Sequence, residues 1–452
     1  MERIIIGKKR VGSSQYSVWA AGQGWTGALG LGSNVMVDKE WSHVSMEERE
    51  NHFTQVVLES DVHCAASGWG HSILVTDNTI EMAGRPYEFS TLLRLHRLPS
   101  FLRTPVIRTT LEQKYSNKEQ QQQSPSLWNK WIDTFLHASE HSDNEPYYPY
   151  SLLPEFTSIP KNEANFQHST ISQIQGSAGW SAIVTKEDGH VYACGVNHYG
   201  QCGQDAITTA TVWKPTRIPN LPPISQISCG LQHGLALSKD DGTVYSWGKG
   251  ERGQLGRELL GEGTRHYETP QPIPTDLLPS PVIELSCGLN HSACLTDDNR
   301  VWIWGKYTHP DNDRQDSMVP RSIDLLEDSK VQRISCGSHH TAILLENGSI
   351  YAVGITTDTV KPIMDQPVQL VPPGVISPNE ILQFQSHFDR TTIVTSDHQV
   401  WEVQLMQPNN DNNNNVYFQP SWQNHLTEES NQLIQSVHRG WLHTLVLTQN
   451  KK

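Results

Sequence analysis

A short signature recurs along this chain and limits what it can fold into. Its clearest copy, Ile227 to Gly256, reads ISCGLQHGLALSKDDGTVYSWGKGERGQLG. Leu235, Ala236 and Leu237 form a short apolar run. Lys239-Asp240-Asp241-Gly242 has the composition of a tight turn, because Asp tolerates turn geometry and Gly supplies positive φ. Val244, Tyr245 and Trp247 predict a second strand, and the Gly-rich tail after them suits a loop. A Gly-x-x-His turn opens the first of these strands. It appears as Gly68…His71, Gly230…His233, Gly288…His291, Gly337…His340 and Gly440…His443. Two copies are degenerate: Trp180 stands in the His position of the second, and the sixth reads His387-Phe388-Asp389-Arg390. From the second copy onward the anchors are spaced 53, 58, 49, 50 and 53 residues apart.

A fixed period of this length, with strands and no helix inside the unit, predicts a radial β architecture. The second halves agree: VYACGVNHYGQCG, VYSWGKGERGQLG, VWIWGKY, IYAVG and VWEV follow anchors two to six. For the seventh anchor the N-terminal region supplies the missing half, Ser17-Val-Trp-Ala-Ala-Gly followed by GQGWTGALGLG. The expectation is therefore an all-β, seven-bladed β-propeller closed by N- and C-terminal strands that share one blade, which hides both sheet edges.

Three stretches stand outside the repeat. Residues 33–60 are polar, and NNDNNNN at 409–415 is of low complexity, predicting a disordered tip. The third, residues 85–164, divides the propeller into 16–84 and 165–450. It contains Leu127, Trp128, Trp131, Ile132, Phe135 and Leu136, the spacing of one helix face behind a Ser126 cap. A partly helical, partly disordered insertion between blades one and two is expected.

The formal net charge of −14 argues against direct nucleic-acid binding, since phosphate attraction needs a basic surface. No run of eighteen apolar residues exists to span a membrane, and the N-terminus lacks a secretory signal pattern. The expected compartment is intracellular, cytoplasmic or nuclear, with the mitochondrion left open. Of the seven cysteines, Cys229, Cys287 and Cys336 share one Ser-Cys-Gly position, which suits small buried residues in a reducing setting.

The repeat histidines occupy one structural position, which predicts a turn hydrogen bond rather than a metal site. His137 and His141 are two possible ligands on one helix face, too few for a site. Asp311-Asn-Asp313 lacks the Gly and Glu of a calcium loop. Asn347-Gly-Ser fits a hairpin turn as well as a glycosylation sequon. No nucleophile elbow, phosphate loop or carboxylate pair is present, and no cofactor is expected.

Over roughly residues 16–84 and 165–450 these units resemble the repeats of the regulator-of-chromosome-condensation family, which are seven-bladed propellers. The founding member is an exchange factor for the small GTPase Ran and binds chromatin. Its exchange residues lie in the anchor turns: an Asp in the second, an Asp in the third, and the His of the fifth and seventh. The resemblance implies His340 and His443 in that role here, but Ala178 and Gln232 stand where the aspartates would be. Other members are docking modules without catalysis. The reading is a monomeric, non-catalytic protein–protein scaffold or regulatory adaptor. Guanine-nucleotide exchange on a Ran-like GTPase is the alternative.

Docking residues are expected where aromatics cluster. The position after the anchor Gly carries Trp69, Phe388 and Trp441, and Trp180 lies nearby in blade two. With closure these form one arc, beside Trp128, Trp131 and Phe135 of the insertion. The alternative is that they pack inward.

Overall fold

We describe a computed structural model of the chain. Its described residues are 16–22, 28, 29, 31, 54–56, 58, 60–84, 97–98, 153–161, 170–258, 266–306, 316–323, 330–354, 368–371, 377–388, 390–404, 416, 417, 419, 420, 432–440 and 443–450. They form six four-stranded sheets and one five-stranded sheet, with almost no helix; a 3-10 turn spans Pro378–Glu380. The protein is a seven-bladed β-propeller. By contact density it divides into two units, 1–164 with 438–447 and 165–437 with 448–452.

Blade three shows why the repeat takes this form. Its strands are Ile224–Cys229, His233–Ser238, Val244–Lys249 and His266–Pro272, antiparallel and in spatial order. The second strand is buried at all six positions. It has a strand on each side and a blade against each face, which is why its interior, Gly234 to Leu237, is apolar throughout instead of alternating. The equivalent strands His71–Thr76, Trp180–Thr185, His291–Thr296 and His340–Leu345 are buried throughout in the same way. In the second unit the first strands of successive blades lie against one another, so the first strand is innermost. Between blades two and three the core holds Trp180, Trp247, Ile227 and Val191; between three and four it holds Trp304, Leu235 and Leu285.

In the first unit, Val18, Ala20 and Leu29 from near the N-terminus pack with Leu445, Leu447, Val62 and Leu74. One four-stranded sheet has the order Thr54–Val56, Tyr16–Gly22, His443–Asn450, Gln432–Arg439.

One boundary is corrected. The expected insertion of 85–164 was to lie between blades one and two. Its end, Leu153–Pro160, instead pairs with Thr79–Gly84 as the fourth strand of blade one, so the insertion interrupts that blade after its third strand. Prolines at 154 and 160 hide this strand in the sequence, since a residue without N–H is tolerated only on a sheet edge. Thr54–Val56 likewise emerges from the polar 33–60 stretch as an outer strand. The helix expected at 126–136 and the tip at 409–415 lie outside the described residues.

Candidate functional site

The anchor turns carry the residues singled out in the sequence. In each of blades three, four, five and seven the anchor Gly N–H donates to the carbonyl of its own His, at 2.8–2.9 Å. The imidazole then folds back over the Gly. A Cβ placed on Gly230 would lie 2.0 Å from His233 Cε1, and on Gly288, Gly337 and Gly440 it would lie 2.0, 2.2 and 2.3 Å from Cε1 of their own histidines. The ring needs a residue with no side chain beneath it, which is the reason for the Gly-x-x-His pattern.

Each ring reaches into the next blade. His233 Nε2 lies 2.9 Å from Ser292 Oγ, His291 Nε2 3.2 Å from Thr341 Oγ1, and His340 Nε2 3.2 Å from Thr391 Oγ1. In the first unit His443 Nε2 lies 2.9 Å from Ser72 Oγ. The serines fix the tautomer. Ser292 Oγ donates to the Gln254 carbonyl, and Ser72 Oγ donates to the Ala28 carbonyl. Each hydroxyl must then accept from His, so the proton sits on Nε2. Nδ1 of His233 and of His443 is buried without a hydrogen-bond partner. Burial accordingly pushes these histidines far below their ordinary range: His71 to about 4, and His233, His291, His340 and His443 to about 3.

Further contacts join the blades of the second unit. Backbone bonds run from Leu231 N to Leu289 O, Leu289 N to Ser338 O, and Ser338 N to Phe388 O, a belt through the second residue of each turn. The Ser of Ser-Cys-Gly accepts from the next inner strand: Ser228 Oγ from Cys287 N, Ser286 Oγ from Cys336 N, Ser335 Oγ from Ser386 N. The Gly-Gln loop of one blade receives the Trp of the next, Trp247 Nε1 donating to Gln201 O and Trp304 Nε1 to Gln254 O.

An inner-strand glutamine forms a fourth link. Gln173 both donates to and accepts from the backbone of Ile227, Gln226 does so with Leu285, and Gln383 with Val437. Blade four has Glu284 at this place, which accepts from Ile334 N at 2.8 Å. Burial pushes its carboxyl up to about 7, outweighing that bond and the Arg333 charge. The Glu284→Gln protein should therefore be more stable than the parent at pH 8, by about 1–2 kcal/mol, and the gain should shrink towards pH 5. The sign follows from a folded pKa above the unfolded one: the carboxyl favours folding below pH 4.5, and that contribution is lost as the pH rises through 7. Urea melts at the two pH values measure this, and an equal effect at both would remove the assignment.

The expected site residues are placed as follows. His340 and His443 are each 3% exposed and held between blades, not at an accessible face. Trp180 is 0% exposed, and its indole lies against Gly234 while Nε1 donates to Gly230 O at 2.9 Å. Its expected place among docking residues is corrected: it is core. Ser177, at the position of the missing Gly, donates to the same carbonyl at 2.6 Å. The degenerate turn of blade two thus keeps its interblade link by other atoms. Trp69 is 8% exposed, Phe388 is half-buried with φ +44°, and Arg390 in the sixth His position lies 3.7 Å from Glu402. Trp441, Trp128, Trp131 and Phe135 lie outside the described residues. The interblade serines, threonines and glutamines escaped the sequence reading, although Ser-Cys-Gly and the Gln two residues into the inner strands of blades two, three and six recur visibly.

All seven cysteines are free, and burial raises their thiols, Cys336 to about 11 and Cys194 to about 12. Among the described residues no group of three or more His, Cys, Asp and Glu side chains could hold a metal ion. No helix among them is long and apolar enough to cross a membrane.

The blades and their His, Ser-Cys-Gly and Gly-Gln elements define a repeat propeller. The Regulator of chromosome condensation (RCC1) repeat matches residues 188–237 and 241–295, and a second form of it matches 224–254, 282–309 and 331–357. The chain carries repeats of the regulator-of-chromosome-condensation family. It is 36% identical over 119 residues to the human probable E3 ubiquitin-protein ligase HERC6, covering 26% of this chain and 11% of that protein. It is 33% identical over 135 residues to the bovine secretion-regulating guanine nucleotide exchange factor, covering 30% of this chain and 28% of that one. The chain thus matches about a tenth and about a quarter of these relatives. The crystal structure of human WBSCR16 is similar in fold, with TM-score 0.67 and 17% identity, covering 97% of this chain and all of the other.

Proposed function

We propose that this protein is a non-catalytic interaction scaffold or regulatory adaptor. The observation that carries this reading is the use made of the repeat histidines. Each of the four with an assigned partner is buried, neutral and bonded to a neighbouring blade. Side chains so placed hold a framework and do not reach a substrate. In this reading the first and last strands close the ring, and a monomer presents its loops to a protein partner. The residues proposed to meet that partner are Trp69, Phe388, Trp441, Trp128, Trp131 and Phe135; nucleic acid is not the target. The compartment is intracellular.

Guanine-nucleotide exchange is the second reading, favoured by the match to a named exchange factor over 135 residues. The two part in a nucleotide-release assay with Ran-, Rab- and Rho-type GTPases carrying a fluorescent guanine nucleotide. The scaffold reading expects release at the intrinsic rate with every one. Acceleration of tenfold or more with any GTPase would establish exchange. Loss of that acceleration in a folded His340→Ala, His443→Ala protein would then tie it to the anchor turns.

A further inference from the structure

We propose that the outer edge of blade five is a strand-accepting site for an extended apolar peptide, held in this chain by a short segment of its own. A sheet edge presents unpaired N–H and C=O groups, and proline blunts it by removing a donor. The outer strands Leu153–Pro160, Thr211–Arg217, His266–Pro272, Ser317–Ile323 and Gln419–Pro420 each contain proline. Among the described outer strands two do not. One is Thr54–Val56, three residues long. The other is Val368–Val371 of blade five, where Pro367 and Pro372 bracket the strand and leave its interior donors intact.

That second edge is the one that takes a fifth strand. Val416–Tyr417, from the connection inside blade six, pairs with it in parallel, Leu370 opposite Val416 and Val371 opposite Tyr417. Two residues further on, Gln419–Pro420 is already paired with Trp401 and Glu402 in blade six. Two paired residues make a weak hold on an edge of four. Parallel pairing is also slightly weaker per residue than antiparallel pairing. The eleven residues 405–415 that precede this strand are six-elevenths Asn, with no apolar residue after Met406. In sequence the resident segment is a β-branched residue, Val416, followed by an aromatic one, Tyr417, both strong strand formers. A partner offering a longer extended segment of that kind would pair along all of Val368–Val371 and displace the two residues now there.

The test uses a labelled synthetic peptide of residues 413–420 and the full chain. With the resident strand disabled by Val416→Asp and Tyr417→Asp, the peptide should bind saturably in fluorescence anisotropy, at least tenfold more tightly than to the parent chain. The same peptide with proline in place of Tyr417 should lose that binding. Circular dichroism confirms that the variant is folded. A folded variant that binds the peptide no better than the parent overturns the proposal, as does equal binding of the proline peptide. Neither readout depends on the scaffold reading, since no natural partner is used.

Discussion

Gly230→Ala is expected to destabilise the protein by about 3 kcal/mol or more, although it adds one methyl group. The methyl would sit 2.0 Å from the His233 ring, and that ring is held from its far side by Ser292. Moving the ring breaks the bond to Ser292, and moving the turn disturbs the belt bond from Leu231 N to Leu289 O. His233→Ala alone should cost about 2–3 kcal/mol, from a cavity and an unsatisfied Ser292. The double variant should cost at least 1 kcal/mol less than the sum, because removing the ring removes the clash. The chain already holds two examples of this coupling. Where His is replaced by Trp180 or Arg390, the Gly is replaced as well, by Ser177 and His387. Urea midpoints for the four proteins give the coupling, and additivity within about 0.5 kcal/mol would show that the ring does not hold the Gly in place.

Mild acid should unfold this propeller steeply. His71, His233, His291, His340 and His443 have folded pKa values lowered to about 3 or 4 from an unfolded value of 6.5. A depressed histidine gives stability that is complete above pH 6.5 and drains as the pH falls towards the folded value. The cause is visible at His233 and His443: a second ring proton on Nδ1 would meet no acceptor. Between pH 6 and 4 the unfolded chain should bind up to five more protons than the folded one. Tm should fall by roughly 10–15 °C from pH 7.5 to 4.5: each ring loses about 2–3 kcal/mol at pH 4.5, and a chain of 452 residues unfolds with an entropy of about 1 kcal/mol per degree. Replacing His233 by Gln should lower the number of protons taken up on unfolding by one. A Tm independent of pH over this range would mean that the rings are solvated.

The anchor turns were legible because a backbone requirement leaves a fixed residue. Gly under an imidazole cannot vary, so its spacing counts the blades. The outer strands were far less legible. Their residues meet solvent on one side and need only avoid exposing donors, so Leu153–Pro160 looks in sequence like a Pro-rich linker. One docking residue, Trp180, was misplaced for a related reason. Trp180 stands out in a list of residues because aromatics are common at interfaces, yet it occupies the volume opposite Gly234, a contact between two blades that no single repeat displays. The reach of His233 to Ser292, 59 residues away, is equally invisible until the blades are stacked.

The direction of these bonds has a consequence for how such a chain can be recombined. His233 depends on Ser292, Gln173 on Ile227, and Trp247 on Gln201, so each sheet completes its neighbour's polar groups. A graft that respects sheet boundaries would sever every one of them at both seams. A cassette cut within the second strands still loses those three links, because each spans a full repeat or straddles the cut. It does keep the Gly-Gln loop of one sheet with the hydroxyl that answers it from the next, as Gln254 with Ser292.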